Sequence, residues 1–358
     1  MRVLQLIDTL EAGGAERMAV TLANALVTEV ERSYLCTTRA EGLLKASIQP
    51  EVGYLFLKRT KTLDLSAVRR LVSFIKQEQI TIIHAHASSF FIAALVKWMY
   101  PKVYLIWHDH YGNSQFVAQR PKRVLKICSR AFSNILAVND TLKAWDSTTL
   151  YCNAVDVVPN FVSPKATVLE TPIQGQAGKR IVCLANLRPQ KDHITLLHAF
   201  KQIHKTYPDW TLHCVGKNFK DDYARKVFNT LKQLKLEGSV FFYGSCADVP
   251  AILDHMDIGV LSSQSEGLPL ALLEYGMAGL AVVATTVGDS DKVIVNRSMG
   301  RLVPARDASL LADAVLNLIA DNPSRMHMRD SLQQYVQQYY SEGNCLKHIM
   351  AVYSRIVS

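Results

Sequence analysis

The amino-acid sequence predicts an α/β protein made of two doubly wound domains in one chain. Its 358 residues suit two domains of ordinary size, and 49% hydrophobic with 20% charged residues is typical of a folded protein with an ample core. Short apolar runs alternate with helical stretches, which predicts parallel strands joined by helical crossovers. The alternation lapses once near the middle of the chain and then begins again, so two such domains are expected.

The first series of elements starts almost at the first residue. Its predicted strands are 3–7, 81–85, 103–107 and 135–138. A helix follows the Gly13-Gly14 loop, with an apolar face made by Ala15, Met18, Leu22 and Leu26. Between residues 159 and 178 the pattern gives way to prolines and glycines, which predicts an interdomain linker.

The second series repeats the same alternation after the linker. Its predicted strands are 181–187, 212–215, 240–243, 258–261 and 280–284. Helices are predicted over 193–206 and 222–236, with a third ending near His255. No period of 20 to 50 residues repeats cleanly, so a solenoid is not predicted.

Composition narrows the protein class further. No run approaches the ~20 apolar residues of a membrane span, and the nearest, 90–100, contains Lys97. Charge interrupts the first residues too early for a secretory signal, so we expect a cytosolic protein. The cysteines at 36, 128, 152, 183, 214, 246 and 345 lack the paired spacing of zinc or redox sites, which predicts buried, reduced thiols.

Two carboxylates flank the start of a predicted helix in the second half. Glu266 follows the apolar strand 258–261, and Glu274 lies about two turns further along, since the helix repeats every ~3.6 residues. Pro269 suits the first turn of that helix and Gly279 its end. Ligands of parallel sheets bind beside such loops, where these acids would accept hydrogen bonds from sugar hydroxyls. The alternative is a helix-start charge and a solvated helix position.

Two cations occupy another strand-to-helix loop of the same half. Arg188 and Lys191 come directly after the strand 181–187. At this edge of an open sheet both side chains would grip a diphosphate and stabilise it as it leaves. A solvated surface loop is the alternative.

These motifs together resemble the retaining glycosyltransferases of the GT-B fold known as glycosyltransferase family 4. The resemblance rests on 185–192, on Ser265-Glu266-Gly267 and Glu274, and on Gly13-Gly14-Ala15-Glu16 near the start. It covers essentially the whole chain. It implies two facing Rossmann-like domains, 1–168 on the acceptor side and 169–340 for the nucleotide sugar, and a helix in 341–358 that packs back on the first domain.

The resemblance also implies roles for individual residues. Glu266 would contact the donor sugar and Glu274 the ribose, while Gly267 and Leu268 would offer backbone amides to sugar or phosphate. Lys191 matches the diphosphate lysine of the family. These residues form the predicted donor site.

The chain departs from the family pattern at two places. The usual arginine falls at Asn186, so Arg188 is the substitute for it. The family pattern near 288–291 has two glycines followed by a glutamate. This chain reads Gly288-Asp289-Ser290-Asp291, so Asp291 is the candidate replacement for the glutamate. Gly14 would let the backbone approach the donor phosphate or the acceptor, or it is simply a helix-start glycine.

Alternating histidines follow two predicted strands of the first half. The segment 107–112 resembles the family loop that faces the sugar, and His108 rather than His110 is the predicted contact. Because side chains at i and i+2 share a strand face, His84 and His86 with His108 and His110 offer a divalent metal site instead. We rank that alternative below the sugar contact, and no metal is predicted for the reaction.

A basic amphipathic segment lies between residues 120 and 132. A helix of this kind has three alternative interpretations: it lies on an anionic membrane surface, it binds a lipid diphosphate, or it packs on its own domain. Residues 1–170 hold 20 basic against 14 acidic residues, and the remainder 20 against 17. Aromatic and basic residues are not interleaved as nucleic-acid stacking requires. The cations of the segment are Arg120, Lys122, Arg123, Lys126 and Arg130.

The expected activity is sugar transfer from a nucleotide-diphosphate donor, with a UDP-sugar favoured, to a hydroxyl of a glycan or polyprenyl-diphosphate-linked acceptor. The resemblance implies retention, no protein general base, a departing phosphate neutralised by Arg188 and Lys191, and no metal. Bacterial surface polysaccharide synthesis on the inner face of the membrane is the favoured context. A nucleotide-sugar epimerase, a metal-dependent hydrolase and a non-catalytic sensor are the alternatives.

Overall fold

A computed structural model describes residues 1–11, 13–163 and 168–358 of the chain. Residues 164–167 of the predicted linker lie outside the described residues. The described residues form two compact units, each with its own hydrophobic core.

The first unit combines Met1–Phe161 with Glu342–Ser358, and the second is Val162–Ser341. The chain therefore leaves the first unit at Phe161, ahead of the predicted boundary at 168, and returns to it for the final helix. The second unit is inserted within the first along the sequence.

Within its described residues, the first unit has a sheet of seven strands: β1 (Arg2–Thr9), β2 (Arg32–Ala40), β3 (Gly53–Phe56), β4 (Ile82–His86), β5 (Tyr104–Asp109), β6 (Asn134–Ala137) and β7 (Val155–Val157). They lie in the order β3-β2-β1-β4-β5-β6-β7, and every neighbouring pair is parallel. The crossover helices are α1 (Gly14–Ala25), α2 (Leu65–Gln77), α3 (Phe90–Met99), α4 (Arg123–Cys128) and α5 (Asp140–Thr149).

The described part of the second unit has six parallel strands: β8 (Arg180–Leu184), β9 (Thr211–Val215), β10 (Val240–Gly244), β11 (Ile258–Leu261), β12 (Ala281–Thr285) and β13 (Arg301–Val303). Their order is β10-β9-β8-β11-β12-β13. Its helices are α6 (His193–Thr206), α7 (Asp222–Gln233), α8 (Val249–Asp254), α9 (Leu270–Met277), α10 (Ser290–Val293), α11 (Ala308–Ala320) and α12 (Asn322–Tyr339).

The last helix, α13 (Glu342–Val357), belongs to the first unit. Its buried apolar side chains share one cluster with side chains of β1, β4 and β5, because apolar positions on one helix face recur at the helical period. The helix predicted at the C-terminus therefore returns to the first domain, as the resemblance implied. The cluster includes Val3, Ile82, Ile106, Ile349 and Val352.

Short polar side chains start many of the helices. The side-chain oxygen of the residue before the helix accepts a backbone N–H of the first turn, which satisfies a donor that has no partner inside the helix. This happens at α2, α5, α6, α7, α11 and α12, and the capping residues are Asp64, Asn139, Asp192, Asp221, Asp307 and Asp321.

Strand order reverses once in each sheet, beside its first strand. In the second unit β8 pairs with both β9 and β11, with Ile181 opposite Ile258. Loops leaving the carboxyl ends of two such strands diverge to opposite faces and open a crevice where ligands of doubly wound sheets bind. The loop holding Arg188 and Lys191 is therefore next to the loop holding Glu266.

Gly216 allows β8 and β9 to approach each other closely at this edge. Its φ is +154°, and a Cβ built there would lie 2.2 Å from the Ala185 carbonyl oxygen. The neighbouring amide of Ala185 donates to Val215, and Gly216 N donates to Gly244 O at 2.8 Å, so the backbone has little room to move. A side chain at 216 would push the crevice loops apart.

We expect Gly216→Ala to lower the thermal midpoint of unfolding by several degrees, because overpacking costs about 1–3 kcal/mol. Gly238→Ala is the matched control, since a Cβ built at this exposed glycine meets no heavy atom within 4 Å. Circular dichroism melting of both variants gives the measurement. Equal midpoints for the two variants would contradict the close approach.

Candidate functional site

An ion pair joins the two crevice loops of the second unit. Lys191 Nζ lies 2.5 Å from Glu266 Oε1, with 21% of the lysine side chain and 7% of the glutamate side chain exposed. The Ser263 hydroxyl donates to the same carboxylate oxygen at 2.6 Å. Two predicted donor-site residues, one from each loop, are thus in direct contact and mostly out of water.

Further hydrogen bonds connect the two loops around that pair. The Ser262 hydroxyl donates to the Lys191 carbonyl at 2.9 Å, and the Gln264 amide donates to the Gln190 carbonyl at 2.7 Å. The Gln264 side chain donates to Asp192 Oδ2 at 2.8 Å. Since Asp192 also caps α6, the cation loop, the carboxylate loop and the helix start are fixed to one another.

A third loop, after β12, presses on the backbone that follows Glu266. Gly288 has a φ of +54°, and a Cβ there would lie 2.3 Å from the Gly267 carbonyl oxygen. The Asp289 amide donates to that same carbonyl at 2.9 Å. Asp289 is buried, whereas Asp291, which the sequence offered as a replacement for the family glutamate, is exposed. The first glycine of the family pattern therefore has a steric reason in this chain.

Glu274 lies in the second turn of α9 and is half-buried. The next residue, Tyr275, fixes the helix to the sheet: its hydroxyl accepts from Leu184 N at 2.6 Å and donates to Val260 O at 3.3 Å. Gly279 adopts a φ of +66° just after the helix, which confirms its predicted end. The position of Glu274 is thus set by contacts with both β8 and β11.

Arg188 has a different environment from Lys191. Its guanidinium is exposed and lies over the Phe219 ring at 4.7 Å from the centroid, and Lys217 Nζ lies 5.5 Å from the same centroid. Asn186 Oδ1 accepts from Lys217 N at 2.7 Å. At the position where the resemblance implied an arginine, this chain therefore has an amide that ties the β8 loop to the β9 loop. Lys217 and Phe219 were missed from the sequence, although Gly216-Lys217 directly after a strand was the available signal.

Gly14, the first residue of α1, has open space where a Cβ would lie. Two residues later, Glu16 Oε1 accepts from the Thr9 hydroxyl at 3.1 Å, which joins the helix start to the end of β1. An exposed glycine therefore starts the helix that follows β1.

The predicted sugar contact, His108, is fully buried in the first unit. Its Nδ1 lies 3.1 Å from His84 Nε2, and His86 Nδ1 lies 3.0 Å from His110 Nε2. Burial lowers the pKa of all four imidazoles, that of His110 to about 4, so the rings are neutral at physiological pH. The strand pairing of β4 with β5 brings together the two predicted histidine pairs.

Arg120 does not lie with the other cations of the basic segment. Its guanidinium binds the Asp109 carboxylate at 2.5 and 3.0 Å. The rings of Trp107, Tyr111 and Trp145 surround it at 5.3, 4.4 and 5.2 Å from their centroids. Arg120 is therefore paired with Asp109 within the first unit, next to the loop that carries His108.

Asp146 on α5 is fully buried near the Asp109–Arg120 pair. Burial, with a smaller contribution from the Asp109 charge, raises its pKa to about 8. Burial also raises the pKa of Asp109, although Arg120 opposes that shift. Asp146 therefore stays protonated at neutral pH while Arg120 holds Asp109 as its ionic partner.

Comparison with known proteins assigns the family. Residues 12–166 match the family profile described as Glycosyltransferase Family 4, and residues 178–321 match that described as Glycosyl transferases group 1. The two matches together span most of the chain, and the chain belongs to this glycosyltransferase family. It is thus a transferase, which decides against the epimerase, hydrolase and sensor alternatives.

Individual relatives and solved structures agree with that assignment. An uncharacterised glycosyltransferase of Haemophilus influenzae is 25% identical over 339 residues, covering 92% of this chain and 93% of its own. The Escherichia coli UDP-Gal:α-D-GlcNAc-diphosphoundecaprenol α-1,3-galactosyltransferase is 23% identical, covering 72% of this chain and 71% of its own.

Among structures, HepE from Anabaena in complex with UDP-glucose has a TM-score of 0.82 at 18% identity, covering 99% of this chain and 100% of that one. Sucrose-phosphate synthase from Thermosynechococcus elongatus has a TM-score of 0.80 at 17% identity, covering 100% and 99%. These likenesses confirm the predicted α/β fold class with two Rossmann-like domains of the GT-B type.

Within the part of the chain that the structure describes, no helix has the length and apolar character needed to cross a membrane.

We expect Asp146→Asn to raise the thermal midpoint relative to wild type, and more so at pH 8 than at pH 5. From its ordinary pKa of 3.8 up to about 8, the folded chain keeps a proton on Asp146 that the unfolded chain releases. Wild-type stability therefore falls as pH rises through this window, whereas asparagine has no such loss. Melting at both pH values gives the measurement.

Asp330→Asn, at an exposed position of α12, is the control for the loss of one carboxylate. A difference between Asp146→Asn and wild type that is the same at both pH values would contradict the buried, protonated state of Asp146.

Proposed function

We propose that this protein is a retaining glycosyltransferase. It transfers a sugar from a nucleotide-diphosphate donor to a hydroxyl of a glycan or lipid-linked acceptor in bacterial surface polysaccharide synthesis. The observation that carries the proposal is the contact between Lys191 and Glu266 at the reversal of strand order in the second sheet. A cation for phosphate and a carboxylate for sugar hydroxyls meet where doubly wound sheets bind ligands.

Each donor group has a residue of matching chemistry. Lys191 is the point charge for the diphosphate, and Glu266 is the acceptor for sugar hydroxyls. Glu274, held by the Tyr275 anchor, would accept from the ribose hydroxyls, and the amides of Gly267 and Leu268 would donate to sugar or phosphate. A diphosphate bound beside Lys191 would share that lysine with Glu266 and leave the carboxylate available to the sugar.

A UDP-sugar is the donor we favour. HepE from Anabaena was crystallised with UDP and with UDP-glucose, and the Escherichia coli relative is named for UDP-Gal. In the family chemistry, the departing phosphate takes the proton of the acceptor hydroxyl. Lys191 would stabilise the charge that develops on it, and Arg188 would join by leaving the Phe219 ring, so that neither a metal ion nor a protein base is required.

Two properties of α4 support a lipid-linked acceptor at an anionic membrane surface. Val124 and Ile127 are each 54% exposed, and these two apolar side chains lie on the same short helix. Lys122 and Arg123 are exposed beside them. Cations flanking exposed apolar side chains suit an anionic lipid surface. Arg120 is left out of this surface because Asp109 binds it.

We expect Lys191→Ala and Glu274→Ala each to weaken UDP-sugar binding at least tenfold, since hydrogen bonds to charged groups contribute about 1.5–3 kcal/mol. Isothermal titration calorimetry measures this, after a screen of UDP-, GDP- and ADP-sugars for thermal stabilisation identifies the donor. Lys226→Ala and Glu237→Ala are matched controls at exposed positions of the same unit.

Lys191→Ala leaves Glu266 buried without its cation, so its melting curve is recorded alongside the titration. Glu274→Gln removes the charge but keeps the size of the side chain. It therefore separates a loss of donor affinity caused by the missing carboxylate from one caused by disturbed packing. Unchanged donor affinity in Glu274→Ala, Glu274→Gln and a folded Lys191→Ala would exclude the crevice as the donor site.

We expect a Lys122→Ala, Arg123→Ala, Lys126→Ala triple variant to lose binding to vesicles containing anionic lipid, by about 1 kcal/mol for each cation near the surface. Liposome co-sedimentation at low and high salt gives the measurement. A triple variant at the exposed cations Lys201, Lys226 and Lys232 of the second unit is the control. If the α4 variant sediments like wild type, the membrane contact is wrong.

A further inference from the structure

The loop after β9 lies beside the loop that carries Arg188 and Lys191, on the side away from Glu266. Strand order fixes this arrangement, since β8 pairs with β9 on one side and with β11 on the other. The β9 loop begins with Gly216 and carries Lys217 as its next residue. All three loops leave the carboxyl edge of the sheet, where ligands of parallel sheets bind. Lys217 therefore lies at the same edge as the proposed donor residues.

Two hydrogen bonds hold the backbone of Lys217 against the β8 loop. The Lys217 N–H donates to Asn186 Oδ1 at 2.7 Å, and the Lys217 carbonyl accepts from Leu187 N at 2.9 Å. Both partners directly precede Arg188 in the sequence. The backbone of Lys217 is thus fixed beside the start of the β8 loop, and its side chain begins from a set position.

One aromatic ring also brings the side chain of Lys217 next to the β8 loop. The Lys217 ammonium nitrogen lies 5.5 Å and the Arg188 guanidinium carbon 4.7 Å from the centroid of Phe219. Both distances are typical of cation–π contacts, which extend to about 6 Å. Phe219 and Lys217 are half-buried, whereas Arg188 is exposed. Two cations, one from each loop, are therefore gathered at one ring.

An anion with several oxygen atoms is the ligand that this arrangement favours. Two positive charges held close together repel each other, and a bound anion replaces that repulsion with attraction. An ammonium group carries three donors on a flexible stem and binds phosphate as a point charge. A diphosphate held by Lys191 in the β8 loop would have Glu266 on one side and Lys217 on the other.

We propose that Lys217 is a donor-binding residue that contacts the diphosphate of the nucleotide sugar from the β9 side of the crevice. Asn186 is its positioning residue, because the amide oxygen of Asn186 fixes the backbone of the lysine. This role rests on the proposed function and adds to it a diphosphate cation that lies outside the β8 loop.

The test titrates UDP, or the nucleoside diphosphate of whichever donor the thermal screen selects, into the full chain by calorimetry. Lys217→Met removes the charge and keeps an unbranched side chain. It is expected to weaken diphosphate binding about tenfold, as the loss of a hydrogen bond between charged groups does. The affinity of this variant is also expected to fall less steeply with salt than that of wild type, because one fewer charge pair is screened.

Matched variants show whether the effect belongs to the charge at position 217. Lys217→Arg retains a cation and is expected to keep most of the affinity. Lys226→Ala, at an exposed position of α7, is expected to bind like wild type. Melting curves of every variant are recorded, so that a loss of folded protein is not read as a loss of affinity.

A double-mutant cycle tests the role of Asn186. Asn186→Ala alone is expected to weaken diphosphate binding, but to a smaller extent than Lys217→Met. In the Lys217→Met background the same change is expected to cost no further affinity, because the amide acts through the lysine. Losses that add in the double variant would overturn the positioning role.

Unchanged affinity and salt dependence in a folded Lys217→Met variant would overturn the diphosphate contact. This outcome is distinct from a failure of the proposed function, in which Lys191→Ala and Glu274→Ala also leave diphosphate affinity unchanged. The first result removes Lys217 alone from the donor site, whereas the second removes the whole crevice and Lys217 with it.

Discussion

The parallel pairing of β8 with β11 is the constraint on which the candidate donor site depends. It places next to each other two loops whose contacting residues, Lys191 and Glu266, lie 75 positions apart in the sequence. Tyr275 reinforces the pairing from below, since its hydroxyl bonds to the backbone of both strands. Because the same tyrosine is adjacent to Glu274, one side chain sets the positions of the helix carboxylate and of the strand ends together.

Burial on both faces of a sheet made much of the fold predictable. β11 and β12 are short, almost continuous runs of buried apolar residues between turn signals, and this composition identified them. β2 escaped because Ser33, Thr37 and Thr38 interrupt its apolar run with hydroxyls, although these side chains are buried. β3, β7 and β13 escaped because runs of three or four residues carry no measurable period.

The candidate site residues were predicted from their residue types at strand ends, while the contacts between them were not predicted. Glu266 and Lys191 were identified from their loops, yet only the strand order shows that they touch. Arg120 fitted the helical pattern of the basic segment, but Asp109 and aromatic rings from separate elements bind it instead. Contacts of this kind depend on tertiary packing, which overrides local pattern. Burying charged side chains costs free energy. The buried ion pairs Lys191–Glu266 and Arg120–Asp109 follow strands of the second and the first sheet, at the strand ends where such sheets bind ligands.

The return of α13 to the first unit has a consequence for biosynthesis. The polypeptide emerges from the ribosome in order, so residues 1–161 are complete long before Glu342–Val357 exists. During that interval the core that α13 covers, including His84 with its partner Tyr353, is open on one side. The first unit therefore cannot complete its core until the last helix has been synthesised, and closure by that helix joins sequence positions more than 260 residues apart.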